Sequence, residues 1–373
     1  MRSKLSVFLL CATLSGLAAA APAAPADIVV GQSAPISGAN ADLGLDIRNG
    51  ALAYFNKVNA HGGVRGRKIS LVTLDDRNDA KISGVNAKSL VEKDGAVALF
   101  GFASSTLSIP AMPVVASAKV PFFAPFTGAD TIRKQNDYVY TIRVSYSEEI
   151  DKLIGFWAPL GVTRIAVLHY DDPVGIQNFQ TAAKALEQFK KTPISIAIKR
   201  NADVTDADVA KIIAANSQIV LVTTSYAPLA QMKKKLEKAG NHSMVTALSF
   251  AGASQIAKSL GESASGITVA LTVPLPTDLS VPVVAECQSA WRESGQTGPV
   301  SPTALESFIA AKVLVEGMKH TNHDITRESL QESLSSLTRV DVGGFAVQFK
   351  PGFRHGGKFV DIAVILRNGS LQQ

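Results

Sequence analysis

From Asp27 onward, short apolar runs rich in β-formers alternate with segments whose apolar positions recur at helical spacing. Asp27–Ser33 reads as a strand. Asp46–Asn59 reads as a helix through Ile47, Ala51, Tyr54, Phe55 and Val58. His61 to Gly66 is a glycine-rich turn, and Lys68–Leu74 is the next strand. The alternation continues with a helix over Asp79–Lys93, a strand over Ala96–Phe100, a helix over Thr106–Ala118 and a strand over Val120–Ala124. A second series begins with a helix over Glu148–Ala158 and a strand over Arg164–His169. It proceeds through helices at Val174–Phe189, Ala207–Ala215 and Ala227–Ala239. The strands between and after these helices are Ile194–Ile198, Gln218–Thr223 and Met244–Leu248.

Strands separated by helices form parallel sheets covered on both faces. Two such series predict an α/β protein of two doubly wound Rossmann-like lobes. The tail departs from the pattern. Ile267–Val273 is strand-like, and helices follow over Val281–Ser294, Pro302–His320 and Thr326–Ser336. Gly343–Phe349 and Phe359–Leu366 close the chain as strands. No Pro/Gly/Ser-rich linker separates the lobes, which predicts a multi-segment hinge suited to closure around a ligand. The expected division is 27–145 plus about 275–340 for lobe 1, and 146–274 plus about 341–373 for lobe 2; the length of 373 residues suits two domains.

The N-terminus changes the picture. Arg2 and Lys4 precede an apolar run from Leu5 to Ala20, followed by small residues. This reads as a secretory signal peptide over residues 1–26, cleaved after residue 20 to 26. Phe8-Leu9-Leu10 ahead of Cys11 does not suit a lipidation site. No later run reaches the roughly 18 unbroken apolar residues of a membrane span, so a soluble, exported protein is expected. Cys287 then stands alone, without an internal disulfide, and reads as a half-buried helix thiol. The net charge of +6 becomes +4 once Arg2 and Lys4 are lost. Basic residues are scattered, with Lys233-Lys234-Lys235 the tight run, so no nucleic-acid stripe appears. A mildly positive surface favours an anionic ligand.

In open α/β sheets, ligands bind outside the carboxyl ends of the strands. Two strand ends carry small and hydroxylic residues: Gly101 to Thr106 and Pro125 to Asp130. Free N–H groups there form a carboxylate seat. Ser104, Ser105, Thr127 and Gly128 are its candidate contacts, although capping or a turn explains each of them alone. Tyr146 and Tyr226 suit either a cover over an apolar ligand or an interface between lobes. Phe126 and Phe250 suit apolar walls or ordinary core. Asp75-Asp76 reads as a capped strand end. Asp171, beside Asp172, stands where an acid at the cleft rim pairs with a ligand ammonium or with the other lobe. No HExxH, CxxC, GxSxG or GxxxxGK[ST] pattern occurs. No metal, cofactor or catalytic pair is therefore expected; the pattern is that of a binder rather than an enzyme.

The same residues carry a family likeness. Ile28 to Gly31, Pro35 to Gly38, Gly44, Asn49-Gly50 and Asn59 to Lys68 resemble the opening of the periplasmic leucine/isoleucine/valine-binding protein family. Leu74 to Asp76, Gly101 to Thr106, Pro125 to Asp130, Tyr170 to Asp172 with Gly175, and Leu305 to Ala311 continue the likeness. The resemblance implies a type I periplasmic-binding fold and a substrate-binding subunit of an ABC importer. It implies a ligand held between closing lobes, a membrane permease as partner, and a monomer. Its carboxylate contacts fall on Ser105, with Ser104 beside it, and on Phe126-Thr127-Gly128. Its aromatics fall on Tyr146 and Tyr226.

One departure matters. Amino-acid-binding members place an acid after the strand that corresponds to Met244–Leu248, where this chain has Phe250. A buried ammonium without a counter-charge costs several kcal/mol. Either Asp171 or Asp172 replaces that acid, or the ligand lacks an amino group. Two ligand classes stay open: an aliphatic amino acid, and an aromatic or other apolar carboxylate. A sensor protein that signals through a membrane receptor is the alternative use of the same fold.

Overall fold

The computed structural model describes residues 26–38, 40–133, 137–349 and 352–373. Cys11 and the expected leader lie outside them, Ala26 excepted. The first series of strands is β1 Ile28–Ala34, β2 Ile69–Asp75, β3 Ala98–Phe100, β4 Phe122–Phe123 and β5 Val139–Tyr140. They form an all-parallel sheet in the order β2-β1-β3-β4-β5. The order reverses at β1, so a crevice opens between the ends of β1 and β3.

The second sheet takes β6 Ile165–Tyr170, β7 Ile194–Ile198, β8 Ile219–Val222, β9 Met244–Ala247 and β10 Thr268–Leu271 in parallel. A short two-stranded ladder, β11 Val340–Asp341 with β12 Ala346–Val347, stands apart. Two late strands, β13 Asp361–Ile365 and β14 Leu371–Gln372, extend the second sheet antiparallel, giving the order β14-β13-β10-β9-β8-β6-β7. Its reversal lies between β6 and β8. Both lobes are thus doubly wound.

The first lobe's helices are α1 Ala41–Ala60, α2 Ala80–Glu92, α3 Ser105–Ser108, α4 Met112–Ala118 and α5 Asp130–Arg133. The second lobe carries α6 Tyr146–Trp157, α7 Pro173–Glu187, α8 Asp206–Ala214, α9 Tyr226–Lys238 and α10 Ala253–Leu260. The late helices α11 Pro282–Glu293, α12 Pro302–Lys319 and α13 Arg327–Ser336 return to the first sheet. There Phe308 of α12 packs edge-on against Tyr54 of α1. Helix starts follow local chemistry: Ser145 and Glu148 form a capping box at α6.

Two helical expectations change. The single helix expected over Thr106–Ala118 is broken into α3, a 3₁₀ turn at Ile109–Ala111 and α4. Pro110 and Pro113 lack the N–H groups a continuous helix needs. Helix α10 has no counterpart in the sequence reading, because it is short and lies between Gly252 and Gly261. Cys287 is wholly buried rather than half-buried, since α11 turns it into the first lobe's core.

A buried apolar seam joins the lobes. Phe102, Phe122 and Phe126 of the first lobe continue through Tyr146 to Ile150, Leu153 and Phe250 of the second. Among the described residues, no helix is long and apolar enough to cross a membrane.

Candidate functional site

A cavity of about 480 Å³ lies where the carboxyl ends of the two sheets face each other. The first lobe contributes Asn40, Asn78, Asp79, Ser104 and Thr106; the second contributes Tyr170, Arg200, Ser225, Tyr226 and Phe250. That volume falls in the usual range for small-molecule sites.

The first-lobe wall is built at the end of β3. Ser104 holds φ 134° and ψ 165°, a backbone region that favours glycine. Such strain persists only where surrounding bonds impose it. Here its N–H donates to Phe102 O at 3.1 Å, and its Oγ accepts from Leu107 N at 3.3 Å. Its carbonyl accepts from Ser108 Oγ at 2.6 Å. Ser105 sits next to it, buried, and does not line the cavity. The end of β4 lies deeper. Phe126 N donates to Phe102 O at 2.8 Å, which locks the two strand ends together. Thr127 Oγ1 accepts from Ala129 N at 3.1 Å, and Tyr146 N donates to Gly128 O at 2.9 Å. A side chain on Gly128 would place Cβ 2.7 Å from Tyr146 N. Phe126, Thr127, Gly128 and Tyr146 therefore form a packed layer behind the wall, not the wall itself.

The second-lobe wall rests on Tyr170, the last residue of β6. Its hydroxyl lies 3.0 Å from Ser225 Oγ and accepts from Ser225 N at 3.3 Å. The Arg200 guanidinium lies over the Tyr170 ring, 4.1 Å from its centroid. Arg200 Nε also donates to Asp172 Oδ2 at 2.7 Å. Asp172 Oδ1 caps α7 by accepting from Gly175 N at 2.8 Å. This close seat requires Gly175, whose added Cβ would lie 2.0 Å from Tyr170 O. Asp172 is thus committed to a cap and an arginine. Asp171 is exposed and stands off the cavity. Tyr226 opens α9 and lines the cavity, as does Phe250, whose ring meets Tyr146 at 6.4 Å between centroids.

Of the residues singled out from sequence, Ser104, Tyr226 and Phe250 share the cavity wall. Ser105 and the Phe126-Thr127-Gly128-Tyr146 layer lie beside or behind it, and Asp171 lies apart. Arg200 was missed, although it follows β7 as the other candidates follow their strands. Asp76 proves structural: it accepts from Ser33 Oγ at 2.9 Å, and burial pushes its carboxyl up to about 6.

Sequence reasoning also missed a buried ionic cluster under the cleft floor. Arg143, between β5 and α6, pairs through Nε with Glu306 Oε1 of α12 at 3.0 Å. Its Nη2 donates to Glu306 Oε2 at 3.1 Å and Ser249 Oγ at 2.7 Å. Glu149 of α6 accepts from Ser249 N at 2.7 Å and from Ser249 Oγ at 2.9 Å. Burial raises the Glu149 carboxyl to about 7, with Arg143 pulling the other way. Glu306 is likewise raised by burial. Ser249, the residue before Phe250, is therefore held by an acid that α6 supplies. A charge inside the apolar run Ala304 to Ile309 was the available signal.

Across the cleft rim, Lys258 of α10 meets Asp42 of α1 at 2.8 Å. Gln255 donates to Asp46 at 2.9 Å, and Gln177 of α7 to Asp130 at 2.9 Å.

Known proteins show the same architecture. The profile of the periplasmic binding protein family matches residues 27–366. The structure of a substrate-binding periplasmic protein from Ralstonia solanacearum is 30% identical, with a TM-score of 0.87, over 93% of this chain and 100% of that one. The structure of a possible leucine/isoleucine/valine-binding protein from Rhodopirellula baltica gives a TM-score of 0.90 at 25% identity, over 95% of this chain and 98% of that one. A Leu/Ile/Val-binding protein of Rhizobium johnstonii is 36% identical over 126 residues, 34% of each chain. The chain thus matches about a third of that relative's length. With its profile match running from the first strand to the last long one, the chain belongs to the periplasmic binding protein family.

Proposed function

We propose that this protein is the periplasmic solute-binding subunit of an ABC importer, holding a small apolar carboxylate between its two lobes and presenting it to a membrane permease. The observation that carries this reading is the inter-lobe cavity, walled from both sheets at their carboxyl ends. Two doubly wound lobes joined through several segments suit hinge closure around such a ligand. Hydroxyl groups, amides and aromatic rings on the wall support binding, while no histidine, cysteine or lysine is among the described lining residues to activate a nucleophile.

The state of the acids bears on the ligand. Asp172 is engaged by Arg200 and the α7 cap, and Glu149 by Ser249. Asp79 caps α2, accepting from Lys81 N at 2.7 Å. A ligand ammonium would therefore meet carboxylates that already accept hydrogen bonds, Asp79 through Oδ1 alone. This favours an acid without an amino group over the branched-chain amino acids named for the relatives.

A thermal-shift screen of leucine, isoleucine, valine, hexanoate and benzoate tests this. A ligand at about 100 times its Kd adds roughly 2.7 kcal/mol of stability. Plain acids are expected to raise Tm more than the amino acids; a larger shift with leucine would reverse the ligand assignment. Loss of uptake on gene deletion is the expected cellular result. Loss of signalling with uptake intact would assign the protein to a sensor pathway.

A further inference from the structure

Arg200 is the one cation among the described residues lining the cavity. Its placement is costly in groups: Tyr170 supplies a ring face at 4.1 Å, and Asp172 holds Nε at 2.7 Å. Both supports are themselves held, Tyr170 by Ser225 and Asp172 by the start of α7. The guanidinium is thus fixed by its face and its inner nitrogen. Its outer nitrogens have no hydrogen-bond partner among the described residues, and the side chain retains 28% exposure. An arginine held this way presents a preorganised fork for a planar anion.

The other charges on the wall do not compete for that role. Asp79 and Asp203 are themselves anions: Asp79 Oδ1 accepts from Lys81 N and Ile82 N, and the exposed Asp203 accepts from Gln231 at 2.6 Å. Arg200 stands on the second lobe, and the Ser104 strand end on the first. We propose that the cleft takes an acid bearing a second anionic group: one carboxylate at the Ser104 end, the other received by Arg200. This rests on the carboxylate-binding reading above and names its ligand class as a diacid with an apolar spacer.

Isothermal titration of the full chain at fixed ionic strength tests it with matched probes, adipate against hexanoate and terephthalate against benzoate. At least one diacid is expected to bind about tenfold or more tighter than its monoacid, the scale of a charged hydrogen-bond pair. Arg200→Gln should bring that ratio to about one. Arg200→Lys keeps the charge but not the fork, and should retain part of it. Thermal melts verify that both variants fold, and the lysine variant carries the test if the glutamine variant does not. Equal binding of diacid and monoacid, or a ratio unchanged in Arg200→Gln, overturns the proposal. Binding of monoacids alone would sink this inference and leave the carboxylate reading standing. Binding of no acid would sink both.

Discussion

Replacing Arg143 with methionine tests whether the ionic cluster holds the hinge together. Arg143 is 1% exposed and bridges segments distant in sequence. It leaves β5 for the second lobe, contacts Ser249 after β9 and Thr272 after β10, and pairs with Glu306 of α12 beneath the first sheet. Methionine fills much of the space but leaves Glu306 and Glu149 buried without their cation. Breaking a buried pair from one side costs about 3–5 kcal/mol, a large share of the roughly 5–15 kcal/mol that holds a typical protein folded. The loss must depend on pH. Arg143 lowers both carboxyls, so its removal drives them further up, and each escapes its charge by taking a proton. At pH 8 that proton is costly; at pH 5 it is readily available. Urea unfolding followed by fluorescence of Trp157 and Trp291 gives the midpoint and slope at both values. The expected result is a loss of about 3–5 kcal/mol at pH 8 that shrinks clearly at pH 5. The double variant Arg143→Met with Glu306→Leu should recover part of it, because an apolar pair removes one stranded charge. A loss below about 1 kcal/mol at pH 8, the range of an exposed pair, or an equal loss at both values, would refute the reasoning.

Three further outcomes follow from the same contacts. The folded carboxyl of Glu149 lies at about 7 against 4.5 unfolded, so the native state binds the extra proton between those values. Its contribution is complete below pH 4.5 and is lost as pH rises through 7. Relative to Glu149→Gln, the wild type should therefore lose up to roughly 3 kcal/mol over that window, read from paired urea midpoints; parallel pH profiles would exclude the assignment. Gly128→Ala places a methyl 2.8 Å from Tyr146 Cδ1 and should cost about 1–3 kcal/mol by overpacking. An unchanged Tm would mean that the start of α6 moves aside freely. Cys287 is buried and its thiol is pushed up to about 12 by desolvation. Its peptide should resist maleimide labelling in native protein at pH 7.5 and label fully in urea, as judged by mass spectrometry; rapid native labelling would contradict that burial.

How much was legible follows from what each signal reports. Alternating strand and helix periods record which face of a segment is buried, a local property. They sufficed for two doubly wound lobes, and the strand-end rule singled out Ser104, Tyr226 and Phe250, which line the cavity from its two sides. They also singled out Gly128 and Tyr146, each for a separate reason, but not that the absence of a side chain at Gly128 leaves room for the tyrosine's backbone. Short elements were the weak point. Helix α10 offers eight residues between glycines, yet it carries Lys258 and Gln255 to α1 across the rim.

The sequence by itself determined the class of fold, the order of its elements and the hydroxyl-rich strand ends, because each of these is encoded in neighbouring residues. Tertiary structure alone decided which charges meet. Arg143 and Glu306 stand 163 positions apart on segments whose register only folding sets. Arg200 reads as an ordinary basic residue until Tyr170 and Asp172 fix it on the cavity wall. A buried charge must find a partner, but nothing in its neighbours along the chain says which one.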